Sequence, residues 1–352
     1  MLHRPATCSA MTLLCLLVVG AIPARADDPR EATRAGTSPT RERARKAAEQ
    51  GLAFLVTDAA KWREERTCAT CHHGTMTVWA LSEAKARGYE VAAGELAELA
   101  RWTKDRLLAR IDQPRDPRPG WKMVSTPALY LAVMAVAVPG QGAVSADELK
   151  RIAGHLVRHQ EADGSWAWSS APAQNRPPPV FESDEVATRW AYLALGPPVP
   201  AEAAAKSEAR AARERAAAWL AKAESSDTTQ AAALRLLVAA KSGGSAEALR
   251  PEVERFVGRQ NPDGGWGQLK GAPSDAYATG QALYVLGLAG VTADRPEVRR
   301  GVAFLVATQT EDGSWPMTPR AHPGARPSKN LAPITYFGSA WATLGLLRST
   351  PR

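Results

Sequence analysis

Apolar residues recur along the chain at intervals of three and four positions, which is the period of an amphipathic α-helix. After residue 40 the pattern alternates between two kinds of segment. One kind is charged on one face and apolar on the other, and the next is apolar almost all round. The pairs are 41–56 with 73–87, 92–111 with 126–138, 145–160 with 184–195, 202–223 with 228–241, 246–260 with 275–289, and 296–309 with 336–348. The pattern predicts an all-α protein of six helix pairs.

A helix that is apolar all round must be buried on every side, whereas an amphipathic helix needs one buried face. Six inner helices enclosed by six outer helices meet both needs. We therefore predict a single (α/α)6 toroid over residues 41–349. An open solenoid of helix pairs is the competing arrangement. It would bury fewer of the apolar helices and would need polar caps at both ends, so the closed ring is favoured.

The links between the predicted helices are unequal in length. Links from inner to outer helices are short. Links from outer to inner helices are long in five repeats, over 57–72, 111–125, 161–183, 261–274 and 310–335. In a closed ring these long links share one end of the barrel with the N-termini of the inner helices; we call this end the link rim. Because loops on a rigid scaffold usually carry function, the site is expected there.

One motif occurs three times and marks a repeat architecture. It reads Gln, two variable residues, Asp-Gly, a small residue and Trp. The copies comprise Gln160, Gly164 and Trp166; Gln260, Gly264 and Trp266; and Gln309, Gly313 and Trp315. The Asp-Gly step predicts a tight turn with glycine at positive φ. The Gln amide is expected to satisfy open carbonyls at a helix end. Repetition at equivalent places favours a structural role.

This motif resembles the QW motif of squalene–hopene and oxidosqualene cyclases, whose α/α-toroid is shared with protein prenyltransferase β subunits. The segment from Ser274 to Leu283 is also similar to an inner helix of that superfamily. The resemblance spans residues 41–349 and implies the fold. Class II cyclases protonate their substrate with an Asp-x-Asp-Asp motif, which this chain lacks. Prenyltransferases hold zinc with an Asp-x-Cys pair and a later His. In this chain the residue two positions after Asp275 is Tyr277 instead of Cys, and the last inner helix has Tyr336 where the His would be needed.

The resemblance therefore leaves it undecided whether the chain is an enzyme. For a toroid enzyme acting on a terpenoid or carbohydrate, the candidate acids and bases are Asp184, Glu185, Asp275 and Tyr277, at the starts of inner helices. Simple N-capping is the competing interpretation for the aspartates. Trp79, Tyr130, Trp190, Tyr192, Tyr284 and Trp341 are expected to pack or line the inner barrel. An aromatic lumen would suit an apolar, terpenoid-like ligand.

The first 26 residues have the pattern of a secretory signal peptide. His3 and Arg4 give a basic start, an apolar run follows, and Ala24-Arg25-Ala26 matches a cleavage site. An uncleaved anchor is the competing interpretation. Residues 27–40 are polar without periodicity and are predicted to be a flexible linker. We therefore expect an exported, periplasmic or extracellular protein with no membrane span after cleavage.

The formal net charge is +8. Basic residues mostly alternate with glutamate along helical segments, as in 41–43 and 213–215, which is typical of a solvated helix face. Basic clusters with interleaved aromatic residues are absent from the sequence. The charge pattern therefore predicts no nucleic-acid partner.

The most specific chemical signal is Cys68-Ala-Thr-Cys71-His72-His73. Cys-x-x-Cys-His is the attachment motif of c-type haem: two thiols bind the haem vinyl groups and the histidine becomes an axial ligand of iron. Attachment requires export, which the predicted signal peptide would provide. His73 and Met76 are candidate sixth ligands, and Met123, His155, His159 and His322 become candidates if the fold brings them to the link rim.

Other interpretations of this motif stay open. Cys68 and Cys71 are spaced as in a redox-active disulfide. Cys68, Cys71, His72 and His73 are also the ligand types of zinc, although four ligands within six residues crowd a tetrahedral site. The leading hypothesis is an exported toroid that carries haem c at its rim and acts, with a redox partner, in electron transfer or in oxidation of an apolar ligand. The alternatives are a haem-free toroid enzyme and a non-catalytic binding scaffold.

Overall fold

The computed structural model describes residues 39–66, 71–111, 126–137, 144–167, 183–196, 203–317 and 331–350. The predicted signal peptide and all but the last two residues of the predicted linker lie outside these ranges. Twelve α-helices occupy the described part: α1 (Pro39–Glu65), α2 (Thr77–Ala86), α3 (Ala93–Ile111), α4 (Thr126–Ala137), α5 (Ala146–Arg158), α6 (Asp184–Ala194), α7 (Ala203–Leu220), α8 (Thr229–Lys241), α9 (Ala246–Val257), α10 (Ala276–Leu288), α11 (Pro296–Thr308) and α12 (Ala332–Ser349). A π-helical turn, Cys71–Met76, leads directly into α2. The all-α prediction is confirmed.

The even-numbered helices form the inner barrel of a closed (α/α)6 toroid. α4 packs on α6, α6 on α8, α8 on α10 and α10 on α12, and α12 returns to α2 and to the π-helical turn, which also packs on α4. The odd-numbered helices lie outside this barrel, and α1 packs on both α11 and α12. Because the first and last repeats are in contact, the ring is closed and the open solenoid is excluded.

The turn of the repeated motif has the predicted backbone. Gly164, Gly264 and Gly313 have φ angles of +97°, +89° and +86°. Each tryptophan then joins two layers. The indole N–H donates to a carbonyl in the preceding outer helix, from Trp166 to Leu156, from Trp266 to Phe256 and from Trp315 to Leu305, over 2.9, 3.1 and 2.9 Å. The backbone N–H donates to a hydroxyl of the following inner helix, on Thr188, Thr279 or Ser339.

The motif glutamines connect neighbouring repeats. Each amide donates to the carbonyl of its own turn glycine and to a carbonyl of the next outer helix. The second acceptors are Ala212 in α7 for Gln160, Glu297 in α11 for Gln260 and Ala47 in α1 for Gln309, at 2.8, 2.8 and 3.0 Å. The second acceptor thus belongs to the adjacent repeat, so each glutamine ties its own turn to the next repeat; we call this pair of hydrogen bonds the clamp.

Two elements differ from the sequence prediction. α1 continues to Glu65 instead of ending near residue 56, because the buried stripe through Leu55 and Ala59 extends to Trp62. The first link is therefore much shorter than predicted. Two strands of two residues each, β1 (Trp266–Gly267) and β2 (Ser274–Asp275), pair as an antiparallel ribbon. It has too few residues to give a period-two pattern, so the sequence did not indicate it.

Several inner helices begin with a side-chain cap at the link rim. Ser183, Thr228 and Asp275 accept hydrogen bonds from backbone N–H groups in the first turns of α6, α8 and α10. The described helices include none long and apolar enough to cross a membrane.

Candidate functional site

The described part of the Cys-x-x-Cys-His motif lies at the link rim, between α1 and the inner barrel. Cys71 is the first residue of the π-helical turn, and His72 and His73 follow within it. Cys68 and the side chain of Cys71 lie outside the described residues. Both histidines are buried, with His73 fully shielded from solvent. The last turns of α1 cover them from outside, and α12 supports them from within the ring.

Aromatic rings surround the two histidines. The Trp62 indole stacks on His73 with ring centroids 4.2 Å apart and meets His72 edge-on at 5.2 Å. Tyr336 lies against His73 with centroids 3.8 Å apart, and Phe337 lies 6.4 Å from His72. Burial among these rings excludes water and lowers the local dielectric.

A chain of hydrogen bonds fixes the protonation pattern of the pair. His73 Nε2 lies 2.8 Å from Asp58 Oδ2, and the Nδ1 atoms of His72 and His73 are in contact with each other. An ionised carboxylate only accepts, so Nε2 of His73 donates to Asp58. In neutral His73 the Nδ1 atom then accepts, so the Nδ1 atom of His72 is the donor. This assignment places the lone pair of neutral His72 on Nε2, the nitrogen that a metal would bind.

The electrostatics agree with two neutral imidazoles. Burial, assisted by the neighbouring His73, lowers the pKa of His72 to about 3. Burial also lowers the pKa of His73, and the hydrogen bond and charge of Asp58 offset part of that effect. A metal-binding imidazole must be neutral and usually donates its other ring N–H to a fixed acceptor. The Asp58–His73–His72 chain has this arrangement.

The structure separates the candidate sixth ligands. His73 contacts Asp58 through Nε2 and His72 through Nδ1, and its role as a sixth ligand stays a prediction. Met76 is fully buried at the end of the π-helical turn. His155 and His159 stack on each other with centroids 4.1 Å apart, in and just beyond outer helix α5. Met123 and His322 lie outside the described residues.

The zinc alternative has no support among the described side chains, where no three His, Cys, Asp or Glu residues are grouped as ligands. The cysteines of the proposed set are not among those side chains. Asp58 approaches His73 from the side opposite His72, so it serves as an orienting acceptor rather than as a shared ligand.

Glu185 is buried in a charged cluster at the start of α6. Its Oε1 atom accepts from Arg189 at 3.0 Å and from Arg235 at 3.1 Å, and Oε2 accepts from the backbone N–H of Ser226 at 2.7 Å. These contacts join α6 to α8. Asp184 precedes Glu185 in the same first turn and is partly buried. The contacts of Glu185 are those of a structural anchor, and a catalytic role for Asp184 or Glu185 stays a prediction.

Asp275 caps α10. One carboxylate oxygen accepts from the backbone N–H of Ala278 and the other from the amide of Gln268, both at 2.8 Å. Tyr277 is buried against Phe337 and Trp341 of α12, with ring centroids 6.2 and 6.5 Å away. Capping was the competing interpretation of Asp275 from its sequence position. Catalysis by Asp275 or Tyr277 stays a prediction.

Aromatic side chains meet across the middle of the lumen. Trp79 of α2 contacts rings from four other inner helices: Tyr130, Trp190, Tyr284 and Trp341, at centroid distances of 6.2, 5.9, 5.5 and 5.2 Å. The Trp79 indole N–H donates to the Tyr284 hydroxyl at 3.2 Å. These rings form the predicted aromatic core. Tyr192 instead stacks with Arg213 of outer helix α7.

Sequence reasoning missed Asp58 and Trp62, which complete the histidine site. They are one turn apart on α1, in a stretch predicted to be a loop. The spacing of Leu55, Ala59 and Trp62 carries the signal that the helix continues. A continued helix would have placed Asp58 and Trp62 close in sequence to the Cys68 motif on a defined face.

The family model for the squalene-hopene cyclase C-terminal domain matches residues 228–331. A squalene–hopene cyclase from Bradyrhizobium diazoefficiens is 42% identical over 78 residues, which cover 19% of this chain and 12% of that enzyme. The chain thus matches about an eighth of the length of this curated relative. Residues 228–331 contain α10 and the second and third copies of the motif.

Solved structures that resemble the whole ring include type II terpene cyclases. A variant of MstE from Scytonema, solved with geranylgeranyl dihydroxybenzoate, gives a TM-score of 0.54 at 15% identity and covers 89% of this chain and 99% of that chain. A second MstE variant, solved with merosterolic acid A, gives 0.53 at 16% identity, with 89% and 98% covered. These likenesses show that the chain shares the α/α-toroid fold of these cyclases.

Proposed function

We propose that this protein is an exported α/α-toroid that holds covalent haem c at its link rim and exchanges electrons with a redox partner. Cys68 and Cys71 would bind the haem covalently, and His72 would bind the iron through Nε2. The observation that carries the proposal is the Asp58–His73–His72 chain, which gives His72 the tautomer that an Nε2 ligand requires. A histidine with only a packing role has no need of this fixed orientation.

The donor set suits the group. Two thiols and a neutral imidazole within five residues match the chemistry of haem c attachment. When bound, the haem supplies one-electron redox chemistry. The chain's own residues orient the iron ligand and shield it from water. His73 and Asp58 hold the imidazole of His72 in place, and Trp62 and Phe337 pack against that imidazole. Hydrogen bonding to Asp58 offsets part of the effect of burial on the pKa of His73.

The hydrogen bonds of the candidate carboxylates favour a haem site at the link rim over an acid–base catalytic site. Both oxygens of Glu185 and both of Asp275 accept hydrogen bonds that hold helices in place. At the level of Trp79 the lumen is occupied by mutually packed rings. A cyclase needs a free acid facing a substrate-sized lumen, and neither carboxylate is arranged in that way.

The second candidate is a protein that binds an apolar terpenoid-like ligand. The similarity of the fold to terpene cyclases favours it. The two MstE structures contain a geranylgeranyl compound and merosterolic acid A. Organic extraction and mass spectrometry of protein purified from a terpenoid-producing host would detect such a ligand.

The test of the main proposal is expression of the full chain with a haem c maturation system, followed by a pyridine haemochrome spectrum. We expect covalent haem in the wild type, and its loss in Cys68→Ala and Cys71→Ala. His72→Ala removes the proposed iron ligand and leaves both thiols, so it should keep covalent haem and change the Soret and spin-state bands. His159→Ala serves as the control, because this histidine adjoins outer helix α5 and should leave the spectrum unchanged.

A colourless wild-type protein, from cells that mature another c-type cytochrome, would refute the haem proposal. Zinc in the purified protein, lost in His72→Ala, would support the metal alternative. A disulfide between Cys68 and Cys71 in mass spectra of the exported protein would support the redox dithiol instead.

A further inference from the structure

A cleft of about 560 Å³ opens at the fourth repeat, away from the histidine site. Its walls come from the motif turn after α5, the start of α6, the end of α7 and the link between α7 and α8. The lining residues are Asp163, Ser183, Glu185, Ala218, Trp219, Lys222, Ala223, Glu224 and Ser226. The volume lies within the range of small-molecule sites in proteins, about 300–1,000 Å³.

The motif aspartate beside the cleft has a different partner from its counterpart in the fifth repeat. Residues 221–228 connect α7 to α8 directly. In the fifth repeat the longer link 258–275 folds into the β1–β2 ribbon, and Ser274 Oγ donates to the motif aspartate Asp263 at 2.7 Å. In the cleft the corresponding motif aspartate, Asp163, instead accepts from the Trp219 indole N–H at 3.1 Å.

Trp219 occupies a position that the ring uses repeatedly. It lies seven residues after the carbonyl that accepts from the motif glutamine, as do Phe304 in α11 and Phe54 in α1. Phenylalanine therefore suffices for packing at this place. The tryptophan adds a larger face and an N–H group that Asp163 holds, so the half-buried indole is fixed against the cleft.

The cleft presents charged groups of both signs. Glu185 accepts from Arg189, Arg235 and Ser226, so its charge is compensated. Asp163 accepts from Trp219 and twice from Ser165, which are neutral donors, so it keeps its charge. The exposed charged groups of the wall are Asp163, Lys222 and Glu224. A hydroxyl group can accept from the ammonium and donate to the carboxylate.

We infer that this cleft is a binding site for a neutral saccharide, with a sugar ring stacked on the indole of Trp219 and its hydroxyls on Lys222, Glu224 and Ser226. An apolar ligand would cover the exposed charged groups Lys222 and Glu224 without pairing them, which is costly. An anion would meet Glu224 and Asp163. The site is separate from the proposed haem function and does not depend on it.

The test is calorimetric titration of the full-length mature protein with maltohexaose, cellohexaose and chitohexaose, and with spermidine as a cationic probe. We expect at least one hexasaccharide to bind. Trp219→Ala should weaken that binding about ten-fold, because the substitution removes the aromatic face on which the sugar ring stacks. Trp219→Phe, which copies position 304, should fold normally and weaken binding less. Trp102→Phe, a half-buried tryptophan change on α3, is the matched control and should leave affinity unchanged.

Glu224→Gln distinguishes the ligand classes, because glutamine keeps an acceptor but removes the charge. Saccharide binding should change less than three-fold in this variant. The inference is overturned if no hexasaccharide binds the wild type, if Trp219→Ala binds as well as the wild type, or if spermidine binds and is lost in Glu224→Gln.

Discussion

The side-chain amide of Gln309 donates a hydrogen bond to the backbone carbonyl of Ala47, 262 residues away in the chain, over 3.0 Å. The same amide donates to Gly313 in its own turn. This contact joins the sixth repeat to the first and closes the ring. Equivalent glutamines join the third repeat to the fourth and the fifth to the sixth, so closure uses the same clamp as the interior of the ring.

Gln309→Ala should lower the free energy of unfolding by about 1–3 kcal/mol, since two carbonyls in a partly buried place lose their donor. Urea unfolding followed by circular dichroism measures it. Glu311→Ala, an exposed change in the same turn, is the control and should stay within about 0.5 kcal/mol of the wild type. Equal stabilities of the two variants would show that the clamp contributes nothing to closure.

Gly313→Ala should be more damaging than Gly290→Ala, although both glycines have positive φ angles, +86° and +80°. A side chain at either place incurs about 1 kcal/mol of backbone strain. At Gly313 a methyl group would also overlap the backbone carbonyl of Gln50, whereas around Gly290 the space is open. We expect a loss of about 3 kcal/mol at 313 and about 1 kcal/mol at 290. Similar losses at both positions, in thermal or urea unfolding, would contradict the close approach of the turn to α1.

The sequence was sufficient for the architecture because the inner helices are apolar all round and the outer helices are not. That difference in pattern depends only on how much of each helix is buried, so inner and outer helices can be distinguished from the sequence without knowing which residues are in contact. The turn glycines were predictable for a similar reason, since an Asp-Gly step before a small residue has few backbone solutions.

The contacts of the histidine site were beyond local reasoning. Asp58 reaches His73 only because α1 continues to Glu65 and lies over the π-helical turn. The short contact between His72 and His73 depends on that turn, and adjacent residues in a regular α-helix do not face each other. Trp219 shows the same limit: its tie to Asp163 spans 56 residues and follows from how the repeats meet.

Glu185→Gln should destabilise the protein by about 3 kcal/mol, because it removes the buried charge that pairs with two partly buried arginines, Arg189 and Arg235. The control is Glu224→Gln, an exposed carboxylate in the same cleft, with an expected change within about 0.5 kcal/mol. Chemical unfolding at neutral pH distinguishes them. A stable Glu185→Gln protein would argue against the structural role and restore Glu185 as a candidate acid.

Asp312 should contribute stability that is lost in acid. Its pKa is lowered chiefly by the hydrogen bond from the backbone N–H of Ser314, with the Thr310 hydroxyl adding to the effect. A carboxyl whose folded-state pKa lies below its unfolded value of about 3.9 stabilises the protein above that value. The stabilisation is lost as the pH falls through the folded-state pKa.

Asp312→Asn should therefore be less stable than the wild type at pH 7, and the difference should shrink as the pH approaches 3. Urea midpoints at pH 7, 5 and 3 measure this convergence. Asp294→Asn, on the exposed link before α11, is the control for removal of a surface carboxylate. A gap between Asp312→Asn and wild type that persists at pH 3 would mean that the carboxylate charge is not responsible.

Gly280→Ala should be strongly destabilising, because the inner helices α10 and α12 touch at this residue. A methyl group there would overlap the backbone carbonyl of Trp341, and backbone cannot move aside as a flexible side chain can. We expect a loss of about 3 kcal/mol, at the upper end for overpacking. Gly94→Ala is the matched control: this glycine lies in outer helix α3 with open space around its Cα, so alanine should stabilise the protein by about 0.5 kcal/mol. Opposite signs for two identical substitutions, measured by urea unfolding, would confirm the close packing of α10 on α12. A neutral Gly280→Ala would show that the two helices lie further apart than described.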